Sequence, residues 1–419
     1  IYIDCDLTRK EQETQKRRTI GKHPIKNTEQ KNKAKEIKVR IGTWNIRSIT
    51  GKEMELTSEF KKSNLKLLAL TEIKKKGTGE MIVEDCTIMY SGVESSIWAQ
   101  AGVGCIVKND FMSRIKRWEG VNERIMVVEV RFDEDEFWTV IIVYGPNEND
   151  NKNSKDKFWD ELQEVYEKSS SPILIVGDLN ARVGNDARNS NGVIGSFGET
   201  IKNKNGELLI DFCNSNGLII LNTWFQHKEI HKFTRVAPAR NEKSIIDYII
   251  TEKNLRNKIH DVKVSRLPEL GSDHFLVVAK MNLKEANISK DTMKATSKEK
   301  RTVRTHKLAN EEIRSNFTKL TEEKFKRMEV QQQTLEQRWK FFKDTIYDAA
   351  RKVCGFTRTG GSKKRTSWWS EETKLAIKEK KKLWKAYLAN STRQSYEMYK
   401  EGRKLVKDIV KKAKVKEWE

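Results

Sequence analysis

The stretch Ile-Leu-Ile-Val-Gly-Asp-Leu-Asn-Ala-Arg at residues 173–182 constrains the fold more than any other part of the chain. Four consecutive apolar residues between Pro172 and Gly177 predict a strand buried on both faces of a sheet. Asp178 and Asn180 follow it directly. Because side chains alternate along an extended chain, we expect both to point to the same side. Gly-Asp-Leu-Asn is equally typical of a simple turn, so the rest of the chain must decide between the two.

The same pattern of an apolar strand followed by a polar residue recurs along the central region. Further strands are predicted at residues 39–46, 65–72, 138–144 and 245–251, with others between them and helices interspersed. The polar residues at or beside these strands are Asn45, Glu72, Tyr144, Asp247, Asp273 and His274. Roughly ten strands with interspersed helices predict α/β layers around two sheets, whose strands end around one cleft.

This set of side chains fits hydrolysis of a phosphodiester. Glu72 and Asp273 can supply the carboxylate oxygens that a hard divalent cation requires. The attacking water must be oriented and deprotonated, and Asp178 and His274 are both candidates for that base. The sequence leaves the choice between them open.

Stabilising the reacting phosphate requires hydrogen-bond donors, because the phosphate gains negative charge as the water attacks. Asn180, Tyr144 and His274 are candidates for this task. Asp247 is the candidate partner of the histidine, since a carboxylate beside an imidazole fixes its tautomer and favours its cation.

Charge is distributed unevenly along the chain of 419 residues, which carries a net charge of +22. Residues 1–40 carry +6, residues 41–280 carry −2 and residues 281–419 carry +18. Basic flanks around a nearly neutral centre predict that the flanks contact a polyanion. The alternative, for part of the C-terminal segment, is a solvated surface on long helices.

Cysteine spacing and hydropathy indicate the cellular environment in which the chain is expected to fold. The five cysteines are scattered and form no C-x-x-C pair, so neither a disulfide framework nor a zinc site is predicted, and a reducing intracellular setting is expected. No apolar run approaches the length of a membrane span, so no membrane partner is expected. Because the first residue is Ile1, we expect a fragment of something longer.

The character of the chain changes after Leu283, beyond which no proline occurs. Apolar residues at helical spacing between 335 and 353 predict one helix. Ser370 predicts a helix N-cap, and a long helical region follows with a break at 390–392. Because apolar positions in this region are sparse, we expect a helical arm rather than a second compact core.

Two features beside that helix allow more than one role. Trp368 and Trp369 fit stacking on bases, although anchoring the following helix to the central domain is the favoured interpretation. The Lys-Lys-Arg run at 363–365 fits phosphate contacts, an import signal or a solvated loop.

Six short motifs occur in order along the central region. They are Gly-Thr-Trp-Asn at 42–45, Thr-Glu at 71–72, Tyr-Gly-Pro-Asn at 144–147, Gly-Asp-Leu-Asn-Ala-Arg at 177–182, Ile-Asp-Tyr-Ile at 246–249 and Gly-Ser-Asp-His at 271–274. In this order they resemble the endonuclease/exonuclease/phosphatase superfamily, in particular the apurinic-endonuclease-type domain of RTE-like non-LTR retrotransposons and of craniofacial development protein 2-like sequences. The resemblance covers residues 39–283. Trp-Trp-Ser-Glu-Glu at 368–372 resembles the connector before the reverse transcriptase of such elements.

The resemblance implies a role for each matching position. The implied metal-binding residues are Asn45, Glu72 and Asp273. The implied residues for the phosphate and the nucleophilic water are Tyr144, Asp178 and Asn180. The implied catalytic pair is Asp247 and His274. Contacts to DNA are expected from Asn147, Arg182, Thr234 and Arg235, and two departures from the retroelement pattern, Arg235 and Ile245, bear on cleavage preference.

The resemblance also implies the architecture and the reaction. The expected fold is a four-layer α/β sandwich of two packed mixed β-sheets flanked by helices, with a basic N-terminal tail at 1–37, a nuclease domain at 38–285 and a basic helical connector at 286–419. The expected activity is a Mg²⁺-dependent (or Mn²⁺-dependent) DNA endonuclease that nicks target DNA and leaves a 3′-hydroxyl for target-primed reverse transcription. DNA is the expected partner, together with element RNA and a reverse transcriptase domain in the same polypeptide, and the nucleus is the expected location.

Two alternatives belong to other classes of function. One is a catalytically decayed or domesticated protein that binds nucleic acid or chromatin through its basic flanks. The other is a phosphatase of the same superfamily, which the basic flanks disfavour.

Overall fold

The computed structural model describes residues 36–418 apart from 95, 97–99, 134–135, 239–241, 285–304, 327–333 and 356–367. The predicted tail at 1–37 lies almost entirely outside the described residues. The Lys-Lys-Arg run at 363–365 and the predicted domain boundary at 285–286 lie outside them as well.

The strands, in chain order, are β1 (Glu36–Asn45), β2 (Leu67–Thr71), β3 (Thr78–Val83), β4 (Cys86–Ser91), β5 (Val103–Lys108), β6 (Ile115–Gly120), β7 (Ile125–Val130), β8 (Trp138–Tyr144), β9 (Ile173–Asp178), β10 (Leu218–Ile220), β11 (Arg235–Ala237), β12 (Glu242–Ser244), β13 (Asp247–Glu252), β14 (Ile259–Ser265) and β15 (Leu276–Lys284). The α-helices are α1 (Glu53–Ser63), α2 (Lys152–Glu167), α3 (Lys204–Ser215), α4 (Glu311–Lys326), α5 (Leu335–Cys354), α6 (Glu371–Ala389) and α7 (Arg393–Trp418).

Two mixed sheets pack face to face. The first has seven strands in the order β14-β15-β1-β2-β5-β4-β3, and the second has six in the order β10-β13-β9-β8-β7-β6. Their facing sides share one buried core. Leu56 and Phe60 of α1 pack on the outer side of the first sheet, and Phe158 of α2 with Leu209 of α3 pack on the outer side of the second. The predicted four-layer α/β sandwich is therefore confirmed.

The strand at 173–178 has the predicted bounds and lies inside the second sheet, between β8 and β13. Strand β8 runs parallel to β9 and places Tyr144 opposite Asp178. Strand β13 runs antiparallel to β9 and places Asp247 opposite Asp178. Polar side chains from three neighbouring strands therefore meet at one end of the sheet.

Helices α6 and α7 form a hairpin that packs on the two-sheet body. Trp368, Ile377, Val406 and Val410 form a buried cluster with Met54 of α1, which confirms the favoured anchoring role of Trp368. Within the described ranges, no helix is long and apolar enough to cross a membrane.

Charged side chains are also buried where the hairpin meets the domain. We call this group the hairpin cluster, and its members are the buried Glu55, Glu59, Glu269, Lys380 and Tyr399 together with the partly exposed Lys381. The Lys380 Nζ lies 2.8 Å from a carboxylate oxygen of Glu55 and 2.8 Å from one of Glu269. The Tyr399 hydroxyl donates to Glu269, and Lys381 pairs with Glu59. The predicted helical C-terminal region is therefore confirmed within the described residues, but α6 and α7 do not form an arm, because they make buried contacts with the two-sheet body.

Candidate active site

One end of the sandwich collects the polar side chains that follow the strands. We call this group the strand-end cluster, and its members are Asn45, Glu72, Tyr144, Asp178, Asp247 and His274. All six were predicted from the sequence, and contacts of 3.8 Å or less connect them into one group.

Asp178 lies at the centre of the strand-end cluster and is 1% exposed. One carboxylate oxygen accepts a hydrogen bond from Asn45 Nδ2 at 2.8 Å, and the other accepts from the Asn180 backbone N–H at 3.0 Å. Burial, together with the neighbouring charge of Asp247, raises the pKa of Asp178 to about 7. A carboxylate with a pKa near neutrality is suited to accept a proton from water.

His274 is buried beside Asp178 and is held by Asp247. Its Nδ1 lies 2.9 Å and 3.1 Å from the two carboxylate oxygens of Asp247, and 3.8 Å from Asp178. Burial alone would lower the pKa of the imidazole, but the charges of Asp247 and Asp178 outweigh that effect and raise the pKa to about 9. His274 is therefore a cation at neutral pH, a form that donates hydrogen bonds and cannot act as a base.

The side chain of Asn45 connects Glu72 to Asp178 by hydrogen bonds. The Asn45 Nδ2 donates to Glu72 Oε1 at 2.9 Å as well as to Asp178. The Tyr144 hydroxyl lies 3.3 Å from the same Glu72 oxygen, and Lys74 Nζ lies 2.9 Å from the other. Burial raises the pKa of Tyr144, so its hydroxyl remains a donor.

Asp273 is engaged by two arginines. Arg47 contacts one of its carboxylate oxygens at 3.0 Å, and Arg235 contacts the other at 3.0 Å. Burial opposes ionisation of Asp273, but the charges of His274, Arg47 and Arg235 lower its pKa. Of the three predicted metal ligands, hydrogen bonding thus joins Asn45 and Glu72, whereas Asp273 is engaged by arginines.

The donor chemistry of this site suits a hard divalent cation. Ligand atoms of Asp178, Asp247 and His274 lie within 4.8 Å of one another. The imidazole Nδ1 already faces Asp247, and both oxygens of Asp178 accept hydrogen bonds, so the oxygens of Glu72 are the better candidates for a cation. Mg²⁺ and Mn²⁺ favour carboxylate and carbonyl oxygens.

The structure corrects the predicted orientation of Asn180. This residue has a φ of 49°, in the left-handed region, so the extended geometry ends at Asp178. Its side chain donates to the Gly145 carbonyl oxygen at 3.0 Å. Asn180 therefore supports Asp178 through its backbone N–H, and its Nδ2 joins two loops at the site.

The four residues expected to contact DNA occupy different environments. Asn147 is exposed. Thr234 is fully buried, and its hydroxyl oxygen accepts from the backbone N–H groups of Ile246 and Asp247, so it supports the site from inside. Arg182 is engaged by the buried Glu199, and Arg235 by Asp273.

Sequence reasoning missed several supports of the site. Arg124 donates to the carbonyl oxygens of Tyr144 and Gly145, and its guanidinium lies 5.2 Å from the Tyr144 ring centroid. The Ser272 hydroxyl donates to the Asn45 carbonyl oxygen at 2.7 Å and so connects the two loops. Ser272 is part of the Gly-Ser-Asp-His motif and was detectable from it, whereas no local pattern distinguishes Arg124 from a surface arginine.

Comparison with known proteins gives matches to the same region. Residues 138–278 match the family described as endonuclease-reverse transcriptase. Craniofacial development protein 2 of Bos taurus is 34% identical over 256 residues, which cover 60% of this chain and 42% of that protein. The protein of the same name from Tragulus javanicus is 34% identical over 256 residues, covering 60% of this chain and 44% of that protein. The matched region thus spans less than half the length of these relatives.

Two solved structures are also similar to this chain. The catalytic domain of Xenopus laevis APE2 is 20% identical, with 60% of this chain and 94% of that domain covered at a TM-score of 0.46. The endonuclease domain of TRAS1, a telomere-specific non-LTR retrotransposon, is 15% identical, with 58% of this chain and 98% of that domain covered at a TM-score of 0.42.

Proposed function

Because the chain carries a domain of the endonuclease/exonuclease/phosphatase superfamily, we propose that it is a DNA endonuclease that requires Mg²⁺ or Mn²⁺. It would hydrolyse one phosphodiester of target DNA and leave a 3′-hydroxyl. The observation that carries the proposal is the strand-end cluster, in which a buried carboxylate, Asp178, lies between a His–Asp pair and the Asn45–Glu72 pair.

In this reaction Asp178 is the general base. Its pKa of about 7 leaves it ionised at slightly alkaline pH and able to accept a proton from an adjacent water. The raised pKa of His274 supports a role as a cationic hydrogen-bond donor rather than as the base. The sequence left the base open between Asp178 and His274, and our proposal assigns that role to Asp178.

Stabilisation of the phosphate would come from the donors around Asp178. The His274 cation, held by Asp247, would donate to a phosphate oxygen, and the Tyr144 hydroxyl would do the same from the side of Glu72. Glu72, with Asn45 and Asp273 at the same end of the sheets, would hold a divalent cation, which would supply positive charge against the phosphate.

Basic surface on the C-terminal helices would add affinity that does not depend on sequence, because lysines and arginines neutralise phosphates. A reverse transcriptase in the same full-length polypeptide and element RNA as a second ligand belong to the same proposal. Nuclear action on chromosomal DNA follows from it.

The decisive experiment is nicking of supercoiled plasmid by the purified chain with Mg²⁺, followed by extension of the product with a DNA polymerase to detect a 3′-hydroxyl. Asp178→Asn should lower the nicking rate by about 10²–10⁴-fold, the usual contribution of a general base. Asp156→Asn, at an exposed aspartate of α2, is the matched control and should nick like the parent. A parent chain that binds plasmid without nicking it would instead support the non-catalytic nucleic-acid-binding alternative.

A further inference from the structure

A crevice lies between the α6–α7 hairpin and the loop that precedes β15. Its walls are formed by β11 and the residue after it, by the segment between β14 and β15 that carries Asp273, and by the two hairpin helices. The lining residues are Val236, Pro238, Arg266, Ser272, Asp273, Phe275, Trp384, Tyr387, Tyr396, Tyr399 and Arg403. Of these lining residues, only Asp273 was given a role from the sequence or from the family resemblance.

We infer that this crevice binds a nucleotide of the DNA strand next to the cleaved phosphodiester, with its base against Tyr387 and Tyr396 and a phosphate near Arg266 and Arg403. This inference rests on the proposed endonuclease function. It gives the basic hairpin a specific role in substrate binding in addition to non-specific attraction.

Continuity with the strand-end cluster is the first argument. Ser272 lines the crevice and also donates to the Asn45 carbonyl oxygen at 2.7 Å. Asp273 lines it and precedes His274, and the backbone N–H of Val236 donates to the Asp273 carbonyl oxygen at 2.9 Å. A strand whose phosphate lies at His274 would therefore place a neighbouring nucleotide at the mouth of the crevice.

The second argument is that the crevice has fixed walls. Trp384 Nε1 donates to the Arg266 carbonyl oxygen at 2.9 Å, so α6 is attached to one side of the loop. Arg403 of α7 donates to the Gly271 carbonyl oxygen on the other side. Gly271 has a φ of +70°, and a Cβ added there would lie 2.9 Å from Arg403 Nε, so the loop and the arginine are closely fitted. Fixed walls lower the entropic cost of binding a ligand.

The third argument is chemical complementarity. Tyr387 and Tyr396 are half-buried, and their ring centroids lie 5.2 Å apart at an interplanar angle of 52°. Partly exposed aromatic faces next to arginines are the combination that single-stranded nucleic-acid grooves use for bases and phosphates. Arg266 and Arg403 also lie over aromatic rings, at 5.4 Å from Phe275 and 5.7 Å from Tyr399.

The charge of the crevice favours an anion. Asp273 is its acidic lining residue, and both carboxylate oxygens of Asp273 are already engaged by Arg47 and Arg235. Arg266 and Arg403 therefore leave a net positive lining. A nucleotide combines a flat ring with a phosphate, so its base can contact the tyrosines of the crevice while its phosphate contacts the arginines.

The test uses the full chain with Mg²⁺ and a DNA duplex oligonucleotide that it nicks, together with bis(p-nitrophenyl) phosphate, a phosphodiester without a base. Tyr387→Ala and Tyr396→Ala should each raise KM for DNA about tenfold, the effect of losing one base–aromatic stack. Their kcat and their turnover of the small diester should stay at the parent level. Tyr387→Phe keeps the ring and should restore the parent KM.

The matched control is Tyr347→Ala, because Tyr347 is an exposed tyrosine on α5 with 51% of its surface accessible. Thermal melting checks that every variant is folded. The inference is overturned if the Tyr387 and Tyr396 variants change KM no more than Tyr347→Ala, or if they reduce turnover of the small diester equally.

A binding readout separates this inference from the proposed function. 2-Aminopurine placed at successive positions of the oligonucleotide should be quenched at one position in the parent, and Tyr387→Ala should remove that quenching. If the parent quenches in this way but nicks no DNA, the endonuclease proposal fails while the crevice stands as a nucleotide site. If the parent nicks DNA and Tyr387→Ala leaves every fluorescence signal unchanged, the crevice fails alone.

Discussion

The strand-end cluster and the hairpin cluster are both buried and polar, yet they differ in how their charges are arranged. In the hairpin cluster Lys380 lies between Glu55 and Glu269, so the carboxylates face an ammonium group at 2.8 Å. In the strand-end cluster Asp178 and Asp247 flank one imidazole, and burial of Asp178, together with the charge of Asp247, raises the pKa of Asp178 to about 7. In the hairpin cluster every carboxylate is paired with an ammonium group, as expected of a structural contact, whereas a buried carboxylate with a pKa raised to about 7, such as Asp178, is a candidate reacting group.

The two clusters also differ in the pH range over which their groups titrate. Burial opposes the charge on Lys380, but Glu269 and Glu55 outweigh it and raise the pKa of the ammonium, so Lys380 stays protonated at physiological pH. In the strand-end cluster, the pKa of Asp178 is raised to about 7 and the pKa of His274 is raised to about 9. We therefore expect substitutions in the hairpin cluster to act on stability and those in the strand-end cluster to act on the reaction.

The largest stability effect should come from Lys380→Met. Removing the ammonium group leaves Glu55 and Glu269 buried without their shared partner, and breaking a buried pair in this way costs about 3–5 kcal/mol. Chemical denaturation measures the free energy of unfolding. Lys385→Met, at an exposed lysine of the same helix, should change it by less than about 0.5 kcal/mol. Equal losses in both variants would show that the hairpin cluster is not a stabilising contact.

Tyr399→Phe should have the next largest effect. It removes the hydroxyl that donates to Glu269 and keeps the buried ring. Hydrogen bonds to charged groups contribute about 1.5–3 kcal/mol, so the unfolding free energy should fall by that amount. Tyr347→Phe is the control, measured by the same denaturation. If Tyr399→Phe has the same unfolding free energy as the parent, the hydroxyl contributes nothing and packing alone stabilises the hairpin contact.

The pH dependence of nicking should be bell-shaped. Asp178 must be ionised, so kcat/KM should rise as pH approaches about 7 from below. His274 must be protonated, so kcat/KM should fall above about pH 9. Each limb should change tenfold per pH unit, which is about 1.4 kcal/mol. Asp247→Asn should move the upper limb to lower pH, since Asp247 is the strongest charge that raises the pKa of His274. A flat profile between pH 5 and 10 would contradict these assignments.

The smallest effect should be that of Asp178→Asn on stability without metal. The folded-state pKa of Asp178 is raised above its unfolded value, so its contribution to stability is full at low pH and is lost as pH rises towards 7. Asparagine does not titrate, so the variant should equal the parent or exceed it by up to about 1 kcal/mol at pH 8. Melting temperatures in EDTA at pH 5 and pH 8 measure this. A clear loss of stability at pH 8 would place Asp178 with the structural carboxylates.

The sequence predicted the strands that are apolar along their whole length. Strands β8 and β9 have the predicted bounds, because continuous β-branched residues are buried on both faces and polar residues end them. Strands β3 and β14 were missed, since each mixes exposed and buried positions and resembles a loop. Helix α4 was missed for a similar reason, as its surface is largely polar.

By itself, the sequence determined the α/β class, the two central strands and the polar residues that gather at one end of the sheets, because continuous apolar runs and strand-end polar residues are local signals. Tertiary structure alone decided that Asp273 is engaged by Arg47 and Arg235, and that Lys380 is buried between two glutamates more than a hundred residues away. A charged residue has the same appearance in sequence whether it faces water or a distant partner. The docking of the α6–α7 hairpin, and with it the crevice beside Asp273, therefore emerges only when the chain is folded.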